Sequence, residues 1–255
     1  MYRSFKLDPL IWKDDWVSIG EASSEANAKK IRDSLEKFVT NGEINGTQLK
    51  DHWFPGIKAD VFISHSHSDQ QDAWGLAGWL STRFGLVSFV DSCVWGYSDD
   101  LLKQIDEVFC KNKSENTYDY QKRNGTTSHV HMMLATAIAR MLDDTECIIF
   151  ASSPQAVTIK ESVSVVSSPW IYYELSMMKV LPSKMPSRPI PLIKESSAGA
   201  ITNFSRQLNI SYEADFSSLT KVDRDKLVKW GHLFDSNLNN KHPLDLLYEA
   251  VPHKF

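Results

Sequence analysis

The stretch Asp60-Val-Phe-Ile-Ser-His-Ser-His-Ser-Asp69 decides the reading of this chain. Val61, Phe62 and Ile63 form a short run that is apolar on both sides, which suits a strand covered by helices on both faces. A helical pattern follows from Gln70 to Phe84, with Trp74, Ala77, Leu80 and Phe84 near helical spacing. Leu86–Val90 reads as a second strand and Cys147–Phe150 as a third. Ile190–Ile193 and Ile210–Phe216 are the expected fourth and fifth strands, with closing helices near Thr220–Leu233 and Pro243–Val251. Strands separated by helices imply a parallel sheet. In such sheets ligands bind beyond the carboxyl ends of the strands. That rule selects Ser64–Asp69, Asp91–Tyr97 and Ser152–Glu174 as the segments carrying function.

The rest of the chain is organised around this core. Residues 1–58 read as a helical arm, with a helix over Ala26–Val39 that starts after Ser23-Ser24, stops at Asn41-Gly42 and carries Ile31, Leu35 and Phe38 on one face. Residues 59–255 read as the main domain. A loop over Asp91–Tyr97 leads to a helix near Ser98–Phe109, followed by an exposed polar insertion over 111–128 and a helix over His129–Leu142. Pro169 suits the first turn of a helix running to Met178.

Composition excludes several functions. The 255 residues carry a formal net charge of −4 and scattered basic groups, which leaves no footprint for nucleic acid or an anionic membrane. No apolar run approaches the ~18 residues that a membrane helix needs, and the first residues lack a signal-peptide pattern. Three well-separated cysteines, Cys93, Cys110 and Cys147, suggest a reducing compartment, so a soluble cytoplasmic protein is expected. No glycine loop of the Rossmann or P-loop kind is present.

The Asp60–Asp69 segment resembles the first sequence box of Toll/interleukin-1 receptor (TIR) domains, in which an acid opens an apolar strand ending in Ser and His or an aromatic residue. Gly85-Leu-Val-Ser-Phe-Val-Asp91, with Gly96 after it, resembles that family's second strand and BB loop. Ser168-Pro-Trp-Ile-Tyr-Tyr-Glu-Leu175 resembles its Trp-x-x-x-Glu element. The three occur in the family's order across roughly 59–193. The resemblance implies a flavodoxin-like, five-stranded, mainly parallel sheet with helices on both faces. It also implies cleavage of NAD+ between nicotinamide and ribose, as in bacterial antiphage (Thoeris-like) innate immunity. The products would be nicotinamide with either ADP-ribose or a cyclic ADP-ribose isomer, which a downstream effector would sense. NAD+ is then a substrate, and no cofactor is expected.

By that resemblance Glu174 is the catalytic residue; Ser64, His65, Ser66, Asp91, Trp95 and Trp170 are the expected substrate contacts, with a neighbouring subunit as the alternative partner of Asp91 and Trp95. Self-association is expected through 85–97. A lone carboxylate is chemically sufficient. Nicotinamide leaves as a neutral molecule from a cationic pyridinium, whereas an ordinary glycosidase needs a second carboxyl group to protonate its leaving oxygen. Trp170 and Glu174, four apart, would share a helix face, so Trp170 would wall the carboxylate from water.

Blander readings stand beside these. Glu174 would otherwise be a solvated helix residue and Trp170 a core residue; Asp91 would cap a loop and Trp95 would be half-buried. His65, His67 and Asp69 also match the HxHxD metal motif of metallo-β-lactamase-like hydrolases. Gln70 stands where that motif continues with His, and the other histidines form no second cluster. A non-enzymatic TIR scaffold is the main alternative, although a chain carrying this one domain gives a scaffold little to connect.

Overall fold

The computed structural model describes residues 2–28, 35–40, 43–112, 117–160, 163–186, 212–237 and 240–252. The chain opens with β1 (Arg3–Leu7) and α1 (Asp14–Ala28). After a 3-10 turn at Leu35–Phe38 come the short pair β2 (Val39–Thr40) and β3 (Glu43–Ile44), then α2 (Gly46–Trp53). The central part comprises β4 (Val61–Ser64), α3 (Gln70–Phe84), β5 (Ser88–Val90), α4 (Ser92–Ile105), a π-helical turn (Asp106–Cys110), α5 (Tyr120–Asp144) and β6 (Cys147–Ala151). The chain continues through β7 (Thr158–Lys160), β8 (Val163–Val166), α6 (Pro169–Val180), β9 (Tyr212–Glu213), β10 (Thr220–Val222), α7 (Arg224–Asp235) and α8 (Pro243–Ala250).

Five strands form one sheet in the order β10-β1-β6-β4-β5, and every neighbouring pair is parallel. Alternation along the strands divides the core in two. Phe62, Phe89, Ile148 and Phe150 face the layer that holds Leu101 and Ile105 of α4, Leu134 and Ile138 of α5, and Ile171 and Leu175 of α6. Val61, Ile63, Val90, Cys147 and Ile149 face the opposite layer, with Leu76 and Leu80 of α3, Trp230 of α7 and Leu247 of α8. The expected α/β sheet with helices on both faces is therefore present. Among the described residues no helix is long and apolar enough to cross a membrane.

Several boundaries differ from the sequence reading. Residues 1–58 are not only an arm, because β1 lies inside the sheet, between β10 and β6. Its alternation hid it: Phe5 and Leu7 enter the core, while Ser4 and Lys6 point to the other face. That face is closed by a loop instead of a helix. Ser4 donates to the Ser218 carbonyl at 3.0 Å, and the Lys6 ammonium lies 4.0 Å from the Phe216 ring centre.

Of the expected fifth strand, 210–211 lie outside the described residues and Tyr212–Glu213 form β9, which pairs antiparallel with β8 in a separate three-stranded sheet; β10 takes the place in the main sheet. Residues 190–193 lie outside the described residues, as do Ile31 and Asn41-Gly42. Of the helix expected over 26–39, residues 26–28 end α1 (Asp14–Ala28), which holds Ser23 and Ser24 inside it, 29–34 lie outside the described residues, and Leu35–Phe38 form the 3-10 turn. The second half of the polar insertion is helical, since α5 begins at Tyr120, where the Asp119 side chain accepts from the Lys122 N–H. Asp91–Tyr97 is not a loop either, because α4 begins at Ser92.

α1 forms an outer layer by lying directly on α3. A Cβ on Gly78 would fall 1.9 Å from the Trp16 carbonyl oxygen, and one on Gly20 would fall 2.0 Å from that of Trp74. Only glycine permits this approach of two helix backbones.

Candidate functional site

The chain leaves β4 through α3 on one face to reach β5, then returns through α4 and α5 on the other face to β6. The ends of β4 and β6 therefore diverge, as at a topological switch point. Ser64, the last residue of β4, is fully buried there opposite Phe150 of β6. Asp60, at the other end of β4, has a structural role: its carboxylate accepts from the Val87 N–H at 2.8 Å and ties β4 to the start of β5.

Glu174 reaches this edge from the second turn of α6. Ser168 caps that helix by accepting from the Ile171 N–H, and Pro169 occupies its first turn. Glu174 is 0% exposed. The Ser64 hydroxyl donates to its Oε2 at 2.5 Å, whereas its Oε1 has no hydrogen-bond partner. Burial, followed by the negative charge of Asp91, pushes the Glu174 carboxyl well above the ordinary carboxylate range, and the Ser64 hydrogen bond only partly offsets this.

Asp91, immediately after β5, is held against β4 because its N–H bonds the Ile63 carbonyl at 3.4 Å. Its Oδ1 lies 2.5 Å from Nδ1 of His65, with side-chain exposures of 3% and 0%. Neither atom is aligned for a hydrogen bond, and Nε2 of His65 also lacks a partner. Burial by itself would lower the His65 pKa. The charge and proximity of Asp91, the Ile63 carbonyl and the charge of Asp69 outweigh it and hold the imidazole above its usual value. A close imidazole–carboxyl contact, a carboxyl group of raised proton affinity and several unpaired polar atoms thus share one buried cluster.

Ser66 and Trp170, also read from the sequence, make other contacts. Ser66 starts the 3-10 turn His67–Asp69, with its Oγ 3.0 Å from that of Ser68. Trp170 is half-buried, with ring contacts to His131 at 5.5 Å and Tyr173 at 6.5 Å between centroids. Those contacts place it against α5 and α6. Trp95 falls in the first turn of α4, and its side chain lies outside the described part of the structure. The HxHxD residues do not converge: His65 faces Asp91, His67 is exposed, and Asp69 is buried and accepts a hydrogen bond from Ser153. Among the described residues no group of three His, Cys, Asp or Glu could hold a metal ion.

Two features escaped the sequence. One is Ser153, which donates to Asp69 while accepting from the Gln155 and Ala156 N–H groups. The other is the pairing of His65 with Asp91. Parallel strands with Ile63 opposite Val90 carry those two residues past the strand ends together, so strand adjacency was the available signal. At the same sheet edge, Asp8, Trp12, Asp69, Asp72 and Ser153 line a cavity of about 20 Å³, the room of about one water molecule.

No protein-family model, curated protein or solved structure matches this chain.

Proposed function

We propose that this protein cleaves NAD+ at the bond between nicotinamide and ribose, with Glu174 stabilising the positive charge that develops on the sugar. The observation that carries the reading is the place of Glu174: a fully buried carboxyl at the carboxyl edge of a parallel sheet, held by Ser64, with one oxygen unpaired. That oxygen is a suitable acceptor for a ribose hydroxyl or a facing charge for C1′. The residues joined there, Ser64, His65, Asp91 and Glu174, come from the three boxes that resemble TIR domains. The finer assignment of the fold as flavodoxin-like and TIR-like belongs to this proposal.

Departure of nicotinamide needs no proton, so the work left to the protein is to hold the ribose and supply negative potential in a dry site. Water or another group of the same nucleotide then captures the C1′ cation, giving ADP-ribose or a cyclic isomer. Antiphage defence, with an effector that senses the product, is the proposed setting. Because Glu174 is sealed here, substrate entry requires the cover to move. Head-to-tail association through 85–97, which can extend into filaments, is the proposed trigger.

Purified protein at high concentration with NAD+, followed for nicotinamide release, tests the reading. Glu174→Gln is expected to lower the rate by roughly 10²–10³ with folding intact. Equal turnover by the two proteins would remove Glu174 from the mechanism. The second reading, a non-enzymatic interaction module, is favoured by the complete burial of Glu174. It predicts self-association without nicotinamide release at any concentration.

A further inference from the structure

Three carboxyl or imidazole side chains in one sealed cluster set a charge problem. Just past β4 comes His65, just past β5 comes Asp91, and from α6 comes Glu174; the side chains of His65 and Asp91 are 0% and 3% exposed and Glu174 is 0% exposed. Ser64 holds one oxygen of Glu174 at 2.5 Å, and His65 holds one oxygen of Asp91 at 2.5 Å. Glu174 Oε1 has no donor of its own, and the Asp91 carboxyl lies close enough to act on Glu174 by its charge and as a hydrogen-bonding group. Two neighbouring carboxylates with a single cation cannot both stay ionised when buried. One carboxylate, one imidazolium and one neutral acid sum to zero charge, the arrangement that costs least to desolvate.

We propose that Asp91 is a positioning residue for Glu174: the two carboxyl groups hold one proton between them, with His65 as the compensating imidazolium, so that Glu174 becomes a carboxylate only when that proton leaves or Asp91 is drawn away. This rests on the reading that Glu174 acts as a carboxylate in NAD+ cleavage. The balance is simple. The proton passes to solvent, no bond other than O–H changes, and the cluster gains one negative charge.

The other titratable groups facing the cluster among the described residues are Asp69, from the turn after β4, and Tyr173, from α6. Asp69 adds negative charge near His65 and favours the imidazolium. The Tyr173 hydroxyl donates to the Ala135 carbonyl at 2.9 Å, and burial, then the charge of Glu174, pushes its pKa up. It remains neutral and does not compete for the proton. Asp91 directly precedes the first turn of α4, so a partner that displaces this turn would draw Asp91 away from Glu174.

The test is a carbon-13 NMR titration of the Glu174 carboxyl, assigned by its loss in Glu174→Gln. Asp91→Asn removes the neighbouring charge and is expected to weaken the proton affinity of Glu174 about tenfold or more. His65→Gln leaves Asp91 uncompensated and is expected to strengthen it. Asp91→Glu keeps the charge and is expected to stay close to the parent. Where NAD+ cleavage is measurable, the acid limb of its pH profile moves in the same opposite directions, which a merely structural defect would not produce. An unchanged titration in both charge-removing variants, or a shift of both in one direction, would overturn the proposal. If Asp91→Asn does not fold, the direction of the His65→Gln shift decides. The titration requires no turnover, so absence of NAD+ cleavage refutes the proposed function without touching this result.

Discussion

The Ser64 hydroxyl donates to the Glu174 carboxyl across 2.5 Å, joining the end of β4 to the second turn of α6 over 110 positions of sequence. The bond fixes the orientation of a buried acid whose Oε1 has no partner. It also pulls the Glu174 pKa down against burial and the charge of Asp91.

Ser64→Ala follows from that bond. Both Glu174 oxygens would then be buried without donors, an unmet need worth about 1–3 kcal/mol. Thermal unfolding is expected at lower temperature, and the acid limb of NAD+ cleavage is expected to move to higher pH. A loss of rate at every pH with no movement of that limb would mean that Ser64 supports the backbone and does not tune Glu174.

Stability is expected to fall as pH rises. Glu174 and His65 both have folded-state pKa values above their ordinary values of 4.5 and 6.5. The folded protein therefore binds more protons than the unfolded chain between each ordinary value and its raised counterpart. The stabilising contribution is complete below 4.5 for Glu174 and below 6.5 for His65, and it is lost as pH passes upward through each raised value. Glu174→Gln removes the first of these while retaining an acceptor for Ser64. Its melting temperature is expected to depend less on pH and to exceed the parent's at neutral pH by about 2–4 °C, the effect of roughly 1 kcal/mol. Melting curves across the pH range would decide; a steeper dependence in the variant contradicts the assignment.

The glycines offer a contrast of environment at fixed chemistry. Gly78→Ala forces a methyl group toward the Trp16 carbonyl and is expected to cost about 1–3 kcal/mol by prising α1 from α3. Gly125, in the first half of α5, has nothing within 4 Å of an added Cβ. Gly125→Ala is expected to stabilise by about 0.5–1 kcal/mol through helix propensity alone. Denaturant unfolding of the two variants should show shifts of opposite sign.

Much of the central fold was legible because its signals are local. β4 is four consecutive buried residues, so its apolar run identified it without reference to partners. α3 announced both its length and its end, where Gly85 takes the left-handed conformation with φ of 68°. β1 was not legible: a lysine and a serine on one face of a central strand make sense only once Phe216 and Ser218, over two hundred positions away, cover them. The start of α4 was missed because Asp91-Ser-Cys-Val-Trp-Gly-Tyr has turn-forming residues but is drawn into helix by the continuation to Ile105.

The site divides the same way. Strand ends and the start of α6 marked the segments, each a property of a short window, and the resemblance to TIR domains singled out Ser64, His65, Asp91 and Glu174 within them. Their grouping was decided by the sheet. Register between β4 and β5 brought Asp91 to His65, and packing of α6 over the β4 edge brought Glu174 to Ser64. Which of the four carries a proton depends on the distance between charges and on exclusion of water, and both exist only after the chain has closed around them.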